Sequence, residues 1–326
     1  MYTKSKTSLN PANPTAALSA NVPVLEELTL NWHITEACNY RCRYCYAKWT
    51  DGPDPRELFH DPELTRSLLT ELFRFFRPGN HSNPLRKKLS WKALRLNLAG
   101  GEPSILGERL VEIVQAAREV GFRVSLISNA SRLTPLMIRQ LAPDLTCLGI
   151  SLDSAVAATN REIGRFDGKG RLLHLSQLVE NLRLARQLNP ELALKLNTVV
   201  NRRNVREDLS HLADELRPDR WKILRMLPIT DRSLAVSDEE FYTFVERHRR
   251  FEPIQCVEDN EDMCESYLMV DPYGRFFQNH TSLAQGYIYS QPVLLAGAGS
   301  AFSDLPFDAD RFQSRYTVGA AGGIQR

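Results

Sequence analysis

Cys38, Cys42 and Cys45 stand within eight residues, spaced C-x3-C-x2-C, and no fourth cysteine follows nearby. Thiolates are soft ligands, and three on one tight loop can each hold one iron of a [4Fe–4S] cluster. The fourth iron then has no protein ligand. An electron-transfer cluster would be closed by a fourth thiol, and a structural zinc would also take four ligands. The nearest histidines, His33 and His60, are not at zinc-finger spacing. An open iron asks for a ligand that is also a reactant. A zinc knuckle, or three incidental thiols, is the plainer alternative. In a reducing compartment such a group of cysteines binds metal rather than forming disulfides. Cys147, Cys256 and Cys264 are scattered and read as packing residues.

The elements that must position this loop follow from periodicity. Strands are expected over residues 28–35, 94–98, 123–128, 147–151, 192–200 and 221–227. Each is followed by a helix, over 63–76, 107–119, 134–141, 172–187, 206–216 and 238–249. The third helix opens on a Thr-Pro cap signal, and the loop before the fourth is long. Six βα units in a row read as a parallel sheet with helical crossovers. They are too few for a closed eight-fold barrel, so an α/β fold built as a partial, open (βα)6 barrel is expected. A doubly wound sheet is the runner-up, because strand order cannot be read from pattern. After Arg250 the rhythm breaks. Residues 266–278 read as a hairpin around Asp271-Pro272-Tyr273-Gly274, and 281–326 are only weakly periodic. The chain thus divides into a loosely packed or disordered 1–26, a barrel domain 27–250 and a C-terminal extension 251–326.

Strand side chains alternate between two faces. Leu28, Leu30, Trp32 and Ile34 share one face of the first strand; Asn31, His33 and Thr35 share the other. Leu94, Leu96 and Leu98 oppose Arg95 and Asn97, and Leu192, Leu194 and Leu196 oppose Lys195 and Asn197. Trp221 and Ile223 oppose Arg220 and Lys222. The apolar faces should meet the helices, so Arg95, Lys195, Arg220 and Lys222 should converge inside the barrel beside Asn31, His33 and Asn97. Parallel strands are normally apolar on both faces, and buried like charges without a partner cost several kcal/mol each. No matching row of inward carboxylates is visible on these strands. The missing counter-charge is then a ligand with several negative charges, such as a triphosphate. The plainer alternative is that these are strand-end residues reaching solvent.

Further motifs stand at the carboxyl ends of strands, where α/β sites form. Gly100-Gly101-Glu102-Pro103 lets a backbone approach a ligand closely, and Glu102 can accept from an ammonium. Ser128-Asn129-Ala130-Ser131 and Ser151-Leu152-Asp153-Ser154 bring small polar groups, and Arg165 in the long loop could pair with a carboxylate. The net charge of +2 argues against a general nucleic-acid binder. No run of about 18 apolar residues exists, and residues 1–23 lack the apolar core of a signal peptide or an amphipathic anchor. A cytoplasmic enzyme away from membranes is expected.

The cysteine spacing and the Gly-Gly-Glu-Pro turn resemble the radical S-adenosylmethionine (SAM) superfamily. More narrowly, the chain resembles the viperin family from about Leu28 to about Tyr316. The likeness rests on Asn31-Trp32-His33, Cys38-Asn39-Tyr40-Arg41-Cys42, Gly100-Gly101-Glu102-Pro103, Ile150-Ser151-Leu152-Asp153-Ser154 and Ile163-Gly164-Arg165. Lys195-Leu196-Asn197, Asn201-Arg202-Arg203-Asn204-Val205, Arg220-Trp221-Lys222 and Ser266-Tyr267-Leu268 are its most specific stretches. Lacking a membrane-targeting N-terminus, the chain looks like a prokaryotic member. The resemblance implies a cluster on Cys38, Cys42 and Cys45, with SAM held near Gly100, Gly101, Glu102, Asn129, Ser151 and Arg165. It implies a 5′-deoxyadenosyl radical that takes the 4′ hydrogen of a ribonucleoside triphosphate. The 3′ hydroxyl then leaves as water, giving a 3′-deoxy-3′,4′-didehydro product that terminates phage RNA chains. It further implies that Arg95, Lys195, Arg220 and Lys222 hold the triphosphate, that Asn31, His33, Asn97 and Asn197 lie against the nucleotide, and that Tyr267 stands near the reacting ribose. A flavodoxin or ferredoxin would supply electrons, and the extension would close over the substrate. Arg95 and Ala99 stand where vertebrate members have Lys and Ser. A peptide-modifying radical SAM enzyme is the alternative, though such enzymes usually carry extra C-terminal cysteine clusters.

Overall fold

The computed structural model describes residues 22–45, 50–279 and 287–317. Six βα units follow one another as the periodicity predicts. The strands are β1 Val24–His33, β2 Ser90–Ala99, β3 Arg123–Ser128, β4 Cys147–Ser151, β5 Ala193–Val200 and β6 Arg220–Arg225. The helices of these units are α1 Pro62–Phe76, α2 Glu108–Val120, α3 Pro135–Leu141, α5 Leu175–Leu188, α6 Ser210–Leu216 and α7 Asp238–Arg247. A short helix not anticipated from the pattern, α4 Ala157–Glu162, interrupts the long loop after β4. Local chemistry sets several starts: Asp61 caps α1 ahead of Pro62, and Thr134 accepts from Met137 N ahead of Pro135.

Four further strands complete the sheet: β7 Gln255–Glu258, β8 Leu268–Val270, β9 Arg275–Asn279 and β10 Tyr287–Pro292. Their order is β10-β9-β8-β1-β2-β3-β4-β5-β6-β7. The monotonic run from β1 to β6 excludes the doubly wound alternative, whose order reverses at a switch point. β7 pairs parallel to β6, and β8 pairs parallel to β1. β8 and β9 form the hairpin expected around Asp271–Gly274. The result is a partial barrel of the (βα)6 type with β7 added at one edge and β8, β9 and β10 at the other.

The two strand faces separate as expected. Leu28, Leu30, Trp32, Ile34, Leu96 and Leu98 have no exposed surface and pack against Leu68, Leu69, Leu72 and Phe76 of α1 and Leu110, Ile113 and Val114 of α2. Burying each such side chain is worth about 1.5–3 kcal/mol. The first strand begins four residues earlier than its hydrophobic pattern suggests, because Val24, Leu25 and Glu27 pair with Ser90, Trp91 and Ala93. Residues 24–26 therefore belong to the sheet rather than to the loosely packed segment; residues 1–21 of that segment lie outside the described residues. The extension continues as α8 Val293–Ala296, α9 Ala298–Ser303 and α10 Ala309–Thr317. Helices α8 and α9 pack against α1, with Phe302 against Phe75, Phe76 and Phe276, and Ala298 N donating to Glu71. Residues 280–286 between β9 and β10 lie outside the described residues.

Candidate active site

The cysteine loop follows β1 and is held by the ends of its neighbours. Gly101 N donates to Thr35 O and Glu102 N to Ala37 O, both at 2.8 Å. A side chain on Gly101 would stand 2.0 Å from Ala37 O, so only glycine admits this approach. From β3, Asn129 Nδ2 reaches Asn39 Oδ1 at 3.0 Å, and Asn39 Nδ2 reaches Ser131 Oγ at 2.8 Å. From the loop after β4, Ile163 O accepts from Arg43 N at 3.0 Å and Gly164 O from Arg41 N at 3.3 Å. Past β6, Asp231 binds Arg43 at 2.6 Å, and Thr230 Oγ1 donates to Cys45 O at 2.6 Å. The loop that carries three thiols is thus fixed from four directions.

Burial pushes the Cys38 thiol up to about 12, and burial also raises Cys42, opposed by the Arg165 guanidinium beside it. Both stay protonated in the iron-free chain, so iron must displace these protons to bind. Among the described residues no three His, Cys, Asp or Glu side chains close on one point as a mononuclear ion requires. Three thiols on one rigid loop are a donor set that fits a [4Fe–4S] cluster with one open iron.

Glu102 and Arg165, read from the sequence as partners of an ammonium and a carboxylate, are both already engaged. The Glu102 carboxylate is 1% exposed and takes four donors: Ser104 N at 3.0 Å, Ser104 Oγ, Ser128 Oγ at 2.6 Å and Asn129 N at 2.6 Å. A carboxylate offers about four lone-pair sites, so this one is filled by the ends of β2 and β3. Arg165 is buried against Asp153 at 3.0 Å, with Tyr44 Oη at 3.0 Å and Ser151 O. Tyr44 in turn donates to Asp153. The physical reason is shared: a buried charge needs partners from its own fold. Arg165 braces the cysteine loop through Tyr44, and the Glu102 side chain ties the ends of β2 and β3 together.

Inside the barrel the polar face forms a continuous wall. Ser125 Oγ donates to Asn97 Oδ1 at 2.8 Å, Asn97 Nδ2 to Asn31 Oδ1 at 2.9 Å and Asn31 Nδ2 to Leu268 O at 3.2 Å. Asn31, Asn97 and Ser125 are aligned by strand register. His33 is buried edge-on to Phe277 at 5.1 Å, and burial brings it down to about 4, so its imidazole is neutral. Gly149 stands opposite Lys195 in the register, and a Cβ there would come within 3.3 Å of Lys195 Cε and 3.4 Å of Asn197 Nδ2. Its missing side chain leaves room at this point.

The four cations do converge. Burial brings the Lys195 ammonium down to about 8, and Lys222, Arg220 and Arg95 around it push the same way. Two carboxylates stand among them, contrary to the expectation of none. Glu27 pairs with Arg95 and, at 2.8 Å, with Arg123. Glu258 lies 2.7 Å from Lys222 Nζ and accepts from Tyr267 Oη, which itself accepts from Lys222 at 2.9 Å. Lys222, Glu258 and Tyr267 thereby bridge β6, β7 and the approach to β8. Two of the three thiols read as packing residues also face this basin: Arg220 Nη2 donates to Cys256 Sγ at 2.9 Å, and Cys147 lies by Lys195. Among the described residues, Asn197 Oδ1 and Arg95 Nε are buried without a hydrogen-bond partner, as in a cavity wall awaiting a ligand. Both carboxylates were missed because Glu27 precedes the obvious apolar alternation and β7 has only four residues.

Comparison with known proteins agrees with this geometry. The radical SAM superfamily matches residues 32–216. A protein of Pseudoalteromonas ulvae named S-adenosylmethionine-dependent nucleotide dehydratase is 40% identical over 292 residues, covering 90% of this chain and 94% of its own. One of the same name from Psychrobacter lutiphocae is 38% identical, covering 89% and 95%. In fold, the chain is similar to the solved structure of anSMEcpe with bound AdoMet, with a TM-score of 0.59 at 15% identity over 90% of this chain and 79% of that one. With a three-thiol loop, a matching domain over more than half its length and relatives at this level of identity, the chain belongs to the radical SAM superfamily and, within it, to the viperin-like S-adenosylmethionine-dependent nucleotide dehydratases.

Proposed function

We propose that the chain converts a ribonucleoside triphosphate to its 3′-deoxy-3′,4′-didehydro analogue. Membership of the superfamily brings a [4Fe–4S] cluster and SAM. When bound, that pair supplies a carbon radical able to remove a hydrogen atom from the ribose. Cys38, Cys42 and Cys45 would hold the cluster. Gly100 and Gly101, with Asn129 and Ser151, would line the SAM side at the strand ends. Arg95, Lys195, Arg220 and Lys222 would hold the triphosphate, and Asn31, His33, Asn97 and Asn197 the rest of the nucleotide. Tyr267 and Lys222 stand 2.9 Å apart in the basin. They suit the task of steadying the ribose and protonating the departing 3′ hydroxyl. A neutral His33 adds no charge to the wall it lines.

The observation that carries this reading is the gathering of Arg95, Arg220 and Lys222 around Lys195, in the barrel whose strand ends hold the thiols. A small electron-transfer protein such as flavodoxin or ferredoxin would reduce the cluster. The product, lacking a 3′ hydroxyl, would stop RNA chains and serve antiphage defence in the cytoplasm. The test is to incubate reduced holoenzyme with SAM and each of the four ribonucleoside triphosphates. 5′-Deoxyadenosine should appear together with a nucleotide lighter by one water. Release of 5′-deoxyadenosine that no nucleotide stimulates would overturn the proposal.

A further inference from the structure

A basin built only to attract phosphate would contain cations alone. This one contains two carboxylates, each shielded from water: the Glu27 side chain is 14% exposed and that of Glu258 is 3% exposed. They stand on opposite sides of the basin, on β1 and β7. Each occupies a cation that a polyanion would otherwise have to itself, Arg95 in one case and Lys222 in the other. Among the described residues no carboxylate pairs with Lys195, whose strand β5 lies between β1 and β7 in the sheet order.

We propose that Glu27 and Glu258 are specificity-determining counter-charges that set how many phosphates a ligand must carry to be held. This deepens the nucleotide reading above and rests on it. A phosphate that approaches Lys222 meets the carboxylate already bound there, and one that approaches Arg95 meets Glu27. A mono- or diphosphate reaches only part of the basin. It gains one or two cations whose charge is already matched, and it suffers the repulsion in full. A triphosphate spans from one paired cation past Lys195 to the other, so its gain outgrows the same repulsion. Selectivity built from repulsion is the usual means of rejecting a ligand that differs only in length. Tyr267 touches both Lys222 and Glu258, accepting from the former and donating to the latter. When a phosphate takes Lys222, the phenol is the group that registers the exchange.

Glu258→Gln and Glu27→Gln keep shape and remove charge. Reconstituted holoenzyme with SAM is titrated calorimetrically with inorganic tripolyphosphate, pyrophosphate and orthophosphate, which avoids any dependence on the nucleobase. The nucleoside tri-, di- and monophosphates follow. In each variant pyrophosphate and the diphosphates should bind about tenfold more tightly, roughly the 1.4 kcal/mol of one relieved like-charge contact. Triphosphates should gain less, so the ratio of tri- to diphosphate affinity falls. If Glu258→Gln does not fold, as judged by its thermal melt, Glu27→Gln carries the same expectation. An equal gain for every phosphate length, or no gain, overturns the inference while leaving the proposed function in place. Wild-type holoenzyme that binds no nucleoside triphosphate overturns both.

Discussion

Gly101→Ala isolates the contact on which the cysteine loop depends. The added Cβ would lie 2.0 Å from Ala37 O, 2.4 Å from Ala37 C and 3.1 Å from Cys38 N. Non-bonded carbon atoms settle at about 3.5 Å or more, and the obstructing atoms are backbone, which cannot swing aside. The turn and the loop must therefore separate by roughly 1 Å or more. The two hydrogen bonds across this junction, Gly101 N to Thr35 O and Glu102 N to Ala37 O, are both 2.8 Å and would go with it. Their loss costs about 1 kcal/mol each, and the overpacking adds about 1–3 kcal/mol, for a total of about 3–5 kcal/mol at the base of Cys38. Iron and acid-labile sulfide after anaerobic reconstitution should fall well below wild type, while inorganic tripolyphosphate still binds in the barrel interior. Gly164→Ala should behave alike, since its φ is +80° and its Cβ would lie 2.2 Å from Arg41 O. Gly168→Ala, in the same loop with nothing within 4 Å, should match wild type. A Gly101→Ala protein with wild-type iron content and an unchanged melt would refute the reasoning.

Two other predictions concern the cations. Lys195 is fully charged in the free protein only below about 8, and a polyanion favours the charged form. Triphosphate affinity should therefore decline as pH rises through 8, with proton uptake on binding that calorimetry in two buffers detects and that Lys195→Arg abolishes; binding without proton uptake near pH 8.5 would contradict this. Lys222→Ala takes the ammonium from the buried Glu258 and should lower stability by about 3–5 kcal/mol, part of which Glu258→Gln restores, while nucleotide binding weakens and SAM binding persists. Equal loss of both ligands would assign Lys222 to the fold instead.

The outline of the barrel was legible because each strand shows an unbroken apolar face. Leu28, Leu30 and Trp32 turn to the helices, and Asn31 turns inward, as alternation requires. The inward cations could be gathered from the same rule. Their counter-charges could not, since Glu27 reads as a polar flank and Cys256-Val257-Glu258 is too short to announce a strand. Alternation tells which way a side chain points and nothing of what it meets. For the same reason the neighbours that Glu102 and Arg165 meet inside the chain could not be read. Ser104, Ser128 and Asn129 for one and Asp153 with Tyr44 for the other come together only once several βα units have folded.

The same dependence governs when the metal centre can be made. Cys38, Cys42 and Cys45 precede every strand of the sheet but β1, while the groups that shape their loop extend to Asp231. A fragment ending before Gly164 would own every ligand and only half of the socket that holds them, namely the contacts from Gly101, Glu102, Asn129 and Ser131. A complete seat for the metal centre therefore requires the chain through Asp231.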